Sequence, residues 1–301
     1  MANQKVVERA AYADLLNPII ANSNYYVFKE IMGKVNIAGT NYRYNGERSI
    51  VIKKLMAGKD VDSNLQTYTA DATQQWSNDE ETLTVKYSRK YRDFIADEYV
   101  VTGSPLNTAV NIMAEFERTG RPETINSQYS ENLYNIASKN DTIIEATVNT
   151  PEEALALFNS MNETRTENST GRAIFYCTSK IKSLLKDYIA PMRRWSNDNK
   201  VSFEVDAIDD VEIKVVPARF LKSKYTKTYG YVPAGDAVQM NAVLVTVDTI
   251  LTPFLLDNIY IDEPTALSDG KAFILSQFAF DLFVHPEAKT YGVIVAVDET
   301  V

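Results

Sequence analysis

SPLNTAVNIMAEFERTGRPETINSQYSENLYNIAS, residues 104–138, carries a long amphipathic pattern. Ser104 is a favourable N-cap, and Pro105 suits the first helical position, where its missing N–H costs no hydrogen bond. Apolar side chains then recur at steps of three and four, at Leu106, Val110, Met113 and Phe116 and, after a proline, at Ile125, Tyr129, Leu133 and Ile136. The sequence therefore predicts a long helix, which we call the spine helix.

Pro122 interrupts the spine helix. A proline inside a helix cannot donate a backbone hydrogen bond, and its ring clashes with the carbonyl group four residues back. We therefore predict a kink, or a joint between two helices, near Thr119 and Gly120.

Length and composition narrow the class of protein. The chain has 301 residues, of which 45% are hydrophobic, so it can bury a substantial core and suits two subdomains. Its 31 basic and 40 acidic residues give a net charge of -9, which argues against a protein that coats nucleic acid. The N-terminus is too polar for a signal peptide, and no apolar run approaches the roughly 18 residues of a membrane span. We therefore expect no membrane partner and a cytoplasm-like environment.

Two strand patterns flank a long polar segment. SIVIKKL (residues 49–55) and TLTVKYSRKY (residues 82–91) predict the two arms of a long hairpin. The segment Met56–Glu81 between them has no periodicity and carries one basic and six acidic residues, a net charge of -5. A solvated charged hairpin is one interpretation. A two-stranded hairpin is marginal alone in water, however, and ordered loops of this length are usually functional, which favours a contact with a neighbouring molecule.

The remaining segments predict an α/β region flanked by other elements. Residues 1–24 are too polar to form a core, so we expect an arm that is ordered only by lying on neighbouring subunits. Thr150, Pro151 and Glu153 predict a helix with a capping box, and the strand RAIFYC (residues 172–177) and a helix capped by Thr178 follow. Strands are predicted at 211–216 and 240–251, and a C-terminal hairpin at 272–297 with its turn at 285–288.

Motifs for catalysis are absent. The sequence contains no glycine-rich phosphate loop, no nucleophile elbow and no paired cysteines, and its single histidine, His285, leaves little for a zinc site or a triad. We therefore predict no catalytic, cofactor-binding or metal-binding residue, and a structural or binding role is favoured over an enzyme. Trp76 in the acidic segment is a candidate contact residue. For Trp195, which follows two arginines, burial and contact remain equal alternatives.

The order of these parts resembles the major capsid protein of tailed bacteriophages, whose fold is shared with encapsulins. The resemblance covers nearly the whole chain. Glu115-Phe116-Glu117-Arg118 leading to Arg121-Pro122-Glu123 is similar to that family's spine helix. RAIFYCTSKIKSLLKD (172–187), VEIKVVPARFLK (211–222) and FILSQFAFDLFVHPEAKTYGVIVAV (273–297) are similar to its later strands and helix.

The resemblance implies an α+β fold with defined regions. These are an N-terminal arm at 1–24, the start of a peripheral domain at 25–47, an extended loop on a β-hairpin at 48–92, the peripheral domain with the spine helix at 93–140, an α/β axial domain at 141–250, and a return to the peripheral domain with the C-terminal hairpin at 251–301.

The resemblance also implies a function. The subunit would assemble with copies of itself, as hexamers and pentamers, into an icosahedral shell that encloses a double-stranded DNA genome without sequence-specific binding. It would be built in the host cytoplasm and become part of the virion, with no cofactor. Because only about 24 residues precede the body, we expect any scaffold to be a separate protein. The resemblance also implies a separate portal protein. An encapsulin-like cage and a small-molecule-binding α/β protein remain alternatives.

Contacts between subunits are expected from the extended loop. Its tip is acidic and its stems are basic, so we expect the tip to contact a basic surface of a neighbour. The candidate contact residues are Leu65, Tyr68, Trp76, Asp79, Glu80, Glu81, Lys53, Lys54, Lys86 and Arg89. Lys53, Lys54 and Lys59 lie where some family members form a Lys–Asn crosslink, but no matching Asn and Glu are identified, so no crosslink is predicted.

Overall fold

The computed structural model describes residues 7–8, 26–32, 41–44, 49–56, 77–95, 105–195, 202–226, 231–262, 264 and 268–298. The strands are β1 Val7–Glu8, β2 Asn41–Tyr44, β3 Ser49–Met56, β4 Ser77–Thr84, β5 Tyr87–Ile95, β6 Ile143–Glu145, β7 Ala173–Cys177, β8 Ala190–Trp195, β9 Ser202–Ile208, β10 Val211–Val215, β11 Tyr225–Thr226, β12 Val232–Pro233, β13 Met240–Thr246, β14 Ile250–Leu251, β15 Phe254–Asp262, β16 Ala272–Phe280, β17 Phe283–Val284 and β18 Val293–Val297. The α-helices are α1 Pro105–Glu115, α2 Arg121–Lys139, α3 Pro151–Thr166 and α4 Ser179–Leu185. A π-helical turn, Phe116–Gly120, joins α1 to α2.

Three sheets organise the described part of the chain. One has seven strands in the order β6-β18-β13-β7-β10-β9-β8, one has four in the order β1-β15-β16-β5, and one has three in the order β2-β3-β4. Two further pairs, β11-β12 and β14-β17, are short. The fold is therefore mixed α+β, as predicted.

The seven-stranded sheet is covered by helices on both faces. On β7, Phe175 packs with Phe158 of α3, whereas Ile174 and Tyr176, which point the other way, belong to the cluster that contains Tyr129 and Leu133 of α2. All five residues of β7 are buried, as expected for a central strand with two covered faces. The four-stranded sheet instead packs on α1, whose Met113 clusters with its β15 and β16 side chains. The spine helix thus joins two sheets, one at each half.

The π turn lies between those halves. Pro122 cannot supply the N–H that a regular helix would donate at this point, and the Arg121 N–H donates to the Phe116 carbonyl, one residue farther back than in an α-helix. Gly120 fits because a Cβ atom there would lie only 2.8 Å from Cδ2 of Phe116. The π turn adjoins the position of the predicted kink at Pro122, and the angle between α1 and α2 remains a prediction.

The predicted C-terminal hairpin is wrong. β16 pairs with β15 and β5, whereas β18 pairs with β13 and β6 in the seven-stranded sheet. All five residues of β18 are buried, which suits a central strand rather than one arm of a hairpin. Gly292 lets the chain pass from the preceding turn into β18, since a Cβ there would lie 2.6 Å from Val284 Cγ1 and 2.7 Å from the Ala288 carbonyl oxygen.

The predicted strand at 82–91 is two strands in two sheets. β4 ends at Thr84 and pairs with β3, and β5 begins at Tyr87 and pairs with β16. The alternating pattern runs through the break, so the sequence pattern did not reveal it. We call the β3–β4 unit the extended hairpin and Val85–Lys86 the hinge.

The arm prediction needs a correction at two residues. Val7 and Glu8 pair antiparallel with Ile261 and Tyr260 of the same chain. The edge of β15 offers free backbone groups, and the arm uses them there without a neighbouring subunit. The rest of residues 1–24 lies outside the described residues.

The capping box of α3 gives a measurable contribution to stability. The Glu153 N–H donates to Thr150 Oγ1 at 3.3 Å, and the Thr150 N–H donates to Glu153 Oε2 at 3.1 Å. We expect Thr150→Ala to lower the free energy of unfolding by about 1 kcal/mol, because an orphan N–H group of the first turn loses its partner. Urea denaturation checks this. Thr150→Ser, which keeps the hydroxyl, is the control and should cost far less.

Candidate inter-subunit interface

The extended hairpin is built on a regular ladder. β3 and β4 pair over eight residues each, from Ser49 opposite Thr84 to Met56 opposite Ser77. At about 3.3 Å per residue, this ladder is about 25 Å long. β2 adds a third strand through Asn41–Tyr44, so the stem is wider than the two-stranded hairpin predicted from sequence. The segment 57–76, with Leu65, Tyr68 and Trp76, lies outside the described residues, and the contacts predicted for it remain predictions.

The register places basic and acidic residues of the extended hairpin at opposite positions. Lys53 lies directly opposite Glu80, Lys54 opposite Asp79, and Ile52 opposite Glu81. Opposite charges placed across a ladder attract each other. The contact of Asp79 and Glu80 with a basic surface of a neighbour remains a prediction. The segment 57–76 itself keeps a net charge of -2.

Lys86 lies in the hinge, and Arg89 lies beyond it in β5. The Lys86 N–H donates to Asp281 Oδ2 at 2.9 Å, and the Lys86 side chain is exposed. The Arg89 guanidinium lies 4.9 Å from the ring centroid of Tyr231, a cation–π contact within the chain. The Arg89 guanidinium thus contacts Tyr231 of its own subunit, and the contacts predicted for Lys86 and Arg89 with a neighbour remain predictions.

A buried charged cluster begins inside the π turn and extends into α2. Glu117 Oε2 accepts from Arg121 Nη1 at 2.8 Å, and Glu117 Oε1 accepts from Ser276 Oγ of β16 at 2.9 Å. The Arg121 guanidinium also lies 4.9 Å from the ring centroid of Phe278. Glu117 is 1% exposed and Arg121 5%. The sequence motifs predict no role for this cluster, although its two opposite charges, four residues apart beside Pro122, are a usable signal.

The second tryptophan lies at the edge of the seven-stranded sheet. Trp195 ends β8, the outermost strand of the seven-stranded sheet, and pairs there with Ser202 of β9. Only its backbone belongs to the described residues, so burial and contact both remain open for its side chain.

Comparison with solved structures finds the same architecture across nearly the whole chain. The mature capsid of bacteriophage PhiM1 matches with a TM-score of 0.55 and 10% identity over 90% of this chain and 89% of that chain. The capsid of cyanophage P-SCSP1u matches with a TM-score of 0.54 and 12% identity over 92% and 89%. A virus-like particle from Pyrococcus furiosus matches with a TM-score of 0.52 and 10% identity over 94% and 97%. No protein-family profile and no curated protein matches the sequence.

The chain has the phage major-capsid fold.

The identities of 10 to 12% explain why sequence comparison alone finds no relative. The capsid fold is maintained here by patterns of burial and by the order of elements, and few individual residues are shared. The match to the virus-like particle covers 94% of this chain and the two phage capsid matches cover 90% and 92%, so the likeness in fold extends to both.

Metal and thiol chemistry find no support among the described residues. No group of three or more His, Cys, Asp or Glu side chains there is placed to hold a metal ion. Burial raises the pKa of the Cys177 thiol to about 12, which makes it a poor nucleophile. Among the described helices, none is long and apolar enough to cross a bilayer.

A cavity of about 340 Å³ lies where the spine helix meets the edge strand β6. Its lining includes Ser138, Asp141 and Glu145, all of which are exposed. Ligand sites usually place a few polar groups inside a mostly apolar enclosure, and this cavity lacks that arrangement. It gives little support to the small-molecule-binding alternative.

Proposed function

We propose that this chain is a major capsid protein of a tailed bacteriophage, a non-enzymatic subunit that assembles with copies of itself into an icosahedral shell around double-stranded DNA. The observation that carries the proposal is the capsid fold, matched over about nine-tenths of the chain by the capsids of PhiM1 and P-SCSP1u. The extended hairpin supports it further, because its ladder joins neither of the two larger sheets.

Assembly follows from modest contacts repeated many times. Closed symmetry makes each subunit contribute the same contacts, so weak interfaces add up to a stable shell. The net charge of -9 suits a container for DNA, because it limits non-specific adhesion to phosphate groups. The proposal also includes hexamers and pentamers as units of assembly, separate scaffolding and portal proteins, and a place in the virion.

Electron microscopy and sedimentation of the expressed protein test this function. We expect closed particles, or hexamers and pentamers that close when a scaffolding protein is added. A protein that stays monomeric under all assembly conditions would contradict the proposal.

A cellular cage of the encapsulin type is the second candidate. The match to the virus-like particle of Pyrococcus furiosus favours it, since that match covers 94% of this chain. Particle composition separates the two. A cage would enclose protein cargo in a small shell without a portal, whereas a capsid would contain DNA and a portal.

The ladder register yields a prediction about pairing inside the hairpin. Lys53→Glu places two acids opposite each other and should weaken the hairpin by about 0.2–1 kcal/mol, whereas the swapped pair Lys53→Glu/Glu80→Lys should restore it. The measurement is the salt dependence and yield of assembly. A swap that assembles no better than Lys53→Glu would mean that Glu80 is paired with a neighbouring subunit instead.

A further inference from the structure

The β8–β9 unit, which we call the second hairpin, leaves the seven-stranded sheet soon after its root. β9 pairs with β10 at only two positions, Ile208 opposite Val211 and Ala207 opposite Glu212, whereas it pairs with β8 at six. Beyond those two pairs, β10 keeps only β7 as a partner among the described strands, and its last residue, Val215, is exposed. The outer part of the second hairpin is therefore attached to the sheet only through its root.

The outer end of the second hairpin lies far from this root. Trp195 of β8 is opposite Ser202 of β9 at that end. Ser202 and Ile208 are the first and last residues of β9, and at about 3.3 Å per residue the outer end lies about 20 Å from the root. Over that length, a rotation of about 10° at the root would move the outer end by about 3.5 Å. The contacts at the root therefore decide where the outer end lies.

A buried arginine holds the root. Arg165 lies in the last turn of α3 and is 1% exposed. Its Nη2 donates to Oδ1 and Oδ2 of Asp210, in the turn between β9 and β10, at 2.8 and 2.9 Å. Its Nη1 donates to the Gly171 carbonyl oxygen at 2.9 Å, and its Nε donates to Asn162 Oδ1 at 3.0 Å. The guanidinium thus connects the turn with α3 and with the loop before β7.

The guanidinium fixes a direction as well as a distance. It is planar and its N–H groups point in fixed directions, so partners on several sides of it determine how the turn is oriented on α3. A lysine would keep the charge, but its ammonium is a point charge on a flexible stem and cannot hold three partners at fixed angles. Arg165 is therefore suited to orient the root of the second hairpin.

Two carboxylates near the root bind cations of the protein itself. Asp206 pairs with Lys182 of α4, and these two side chains are 48% and 37% exposed. Asp210 pairs with Arg165, which is buried. An exposed ion pair contributes little, whereas a buried cation that loses its partner is strongly destabilised. The pair of Arg165 with Asp210 is therefore the stronger anchor of the two.

We propose that Arg165 is a positioning residue for assembly, which fixes the direction of the second hairpin so that its outer end contacts a neighbouring copy of this chain. β8 carries Arg193, Arg194 and Trp195, and arginine and tryptophan are enriched among the residues that anchor interfaces. Two arginines also suit a neighbour whose net charge is -9. The contact with a neighbour rests on the proposed function, whereas the positioning lies within one subunit.

The distance between two spin labels in the unassembled full-length subunit tests the positioning. Ser202→Cys at the outer end and Ser160→Cys on the exposed side of α3 carry the labels, while the native Cys177 is buried and takes up none. We expect one narrow distance distribution without further substitution. Arg165→Lys should broaden it, or shift its mean by about 3 Å, because the root can then rotate. A distribution that stays narrow and unshifted in Arg165→Lys would overturn the proposal.

Two further variants separate positioning from stability. Asp210→Ala leaves Arg165 with its partners in α3 and before β7 and removes its bond to the turn, so it serves where Arg165→Lys does not fold, and it should also broaden the distribution. Asp206→Ala is the matched control, because it removes the same charge from the exposed pair with Lys182, and the distribution should not change. A purely stabilising role would change urea denaturation but not the distance within folded molecules. Equal broadening from both variants would refute the role of Arg165.

Assembly of the same variants tests the contact with a neighbour. Arg165→Lys and Asp210→Ala should raise the critical concentration for closed particles about tenfold, equivalent to the loss of about 1.4 kcal/mol per subunit. Asp206→Ala should assemble like the wild type. A wild type that forms no particles would contradict the proposed function and the contact together, and the distances would still decide the positioning. Normal assembly of variants with a displaced hairpin would contradict the contact alone.

Discussion

Removal of the hairpin tip should leave a folded subunit that cannot close a shell. The deletion replaces residues 57–76 by Asn-Gly, a dipeptide suited to a tight turn. The new turn joins Met56 to Ser77, which lie opposite each other at the end of the ladder. The deletion removes only residues 57–76 and leaves the β3–β4 ladder in place, so the free energy of unfolding should change little. Assembly should fail, because each lost contact of 1.4 kcal/mol weakens an interface about tenfold and the loss recurs at every subunit. Urea denaturation reports the fold, and electron microscopy with sedimentation reports the shell.

Two substitution sets show which property of the tip matters. Leu65→Ser, Tyr68→Ser and Trp76→Ser together should reproduce the assembly defect, because apolar anchors supply most of an interface's affinity. Neutralising Asp60, Asp62 and Asp71 should only reduce the salt dependence of assembly. Exposed ion pairs contribute about 0–1 kcal/mol each, and salt at 0.1 M screens them beyond about 10 Å. Normal yields of closed particles from the tip deletion would show that the loop is dispensable, whatever the chain's function.

Local patterns in the sequence were sufficient to predict single elements. Three examples are the apolar stripe of the spine helix, the capping box at Thr150 and the buried strand that ends at Cys177. Each depends on neighbours within one helical turn or one strand. The order of these elements then indicated the fold, although individual motifs were weak.

Those local patterns did not predict which strands pair with each other. The alternation of residues 82–91 continues through the hinge, and the strands at 272–280 and 293–297 are adjacent in sequence but lie in different sheets. Which strand pairs with which depends on surfaces far apart in the chain, and periodicity of one segment carries no such information. Asp281 shows the same limit, because nothing near it in sequence indicates a partner at Lys86 or Asn132.

The buried pair at the π turn should be the most costly charged site to disrupt in the body of the subunit. Glu117 is held by Arg121 and Ser276, and its partner Arg121 is almost as deeply buried. The stack of Phe116 on Tyr91, with ring centroids 4.3 Å apart, fixes the first residue of the π turn on β5. The cluster therefore joins the spine helix to the four-stranded sheet at the point where the helix departs from α geometry.

Glu117→Ala should lower the free energy of unfolding by about 3–5 kcal/mol, because it removes the carboxylate partner of a buried guanidinium. Glu115→Ala is the matched control, since Glu115 pairs with Arg118 at 2.8 Å in the same stretch but with side chains that are 57% and 44% exposed, and we expect little change. The double variant Glu117→Met/Arg121→Met should recover most of the loss, because a well-packed apolar pair avoids the cost of burying charge. Urea denaturation of the unassembled subunit measures all three. Equal losses for Glu117→Ala and Glu115→Ala would mean that burial does not set the strength of the pair, and failure of the double variant would locate the stabilisation in the contacts with Ser276 and Phe278.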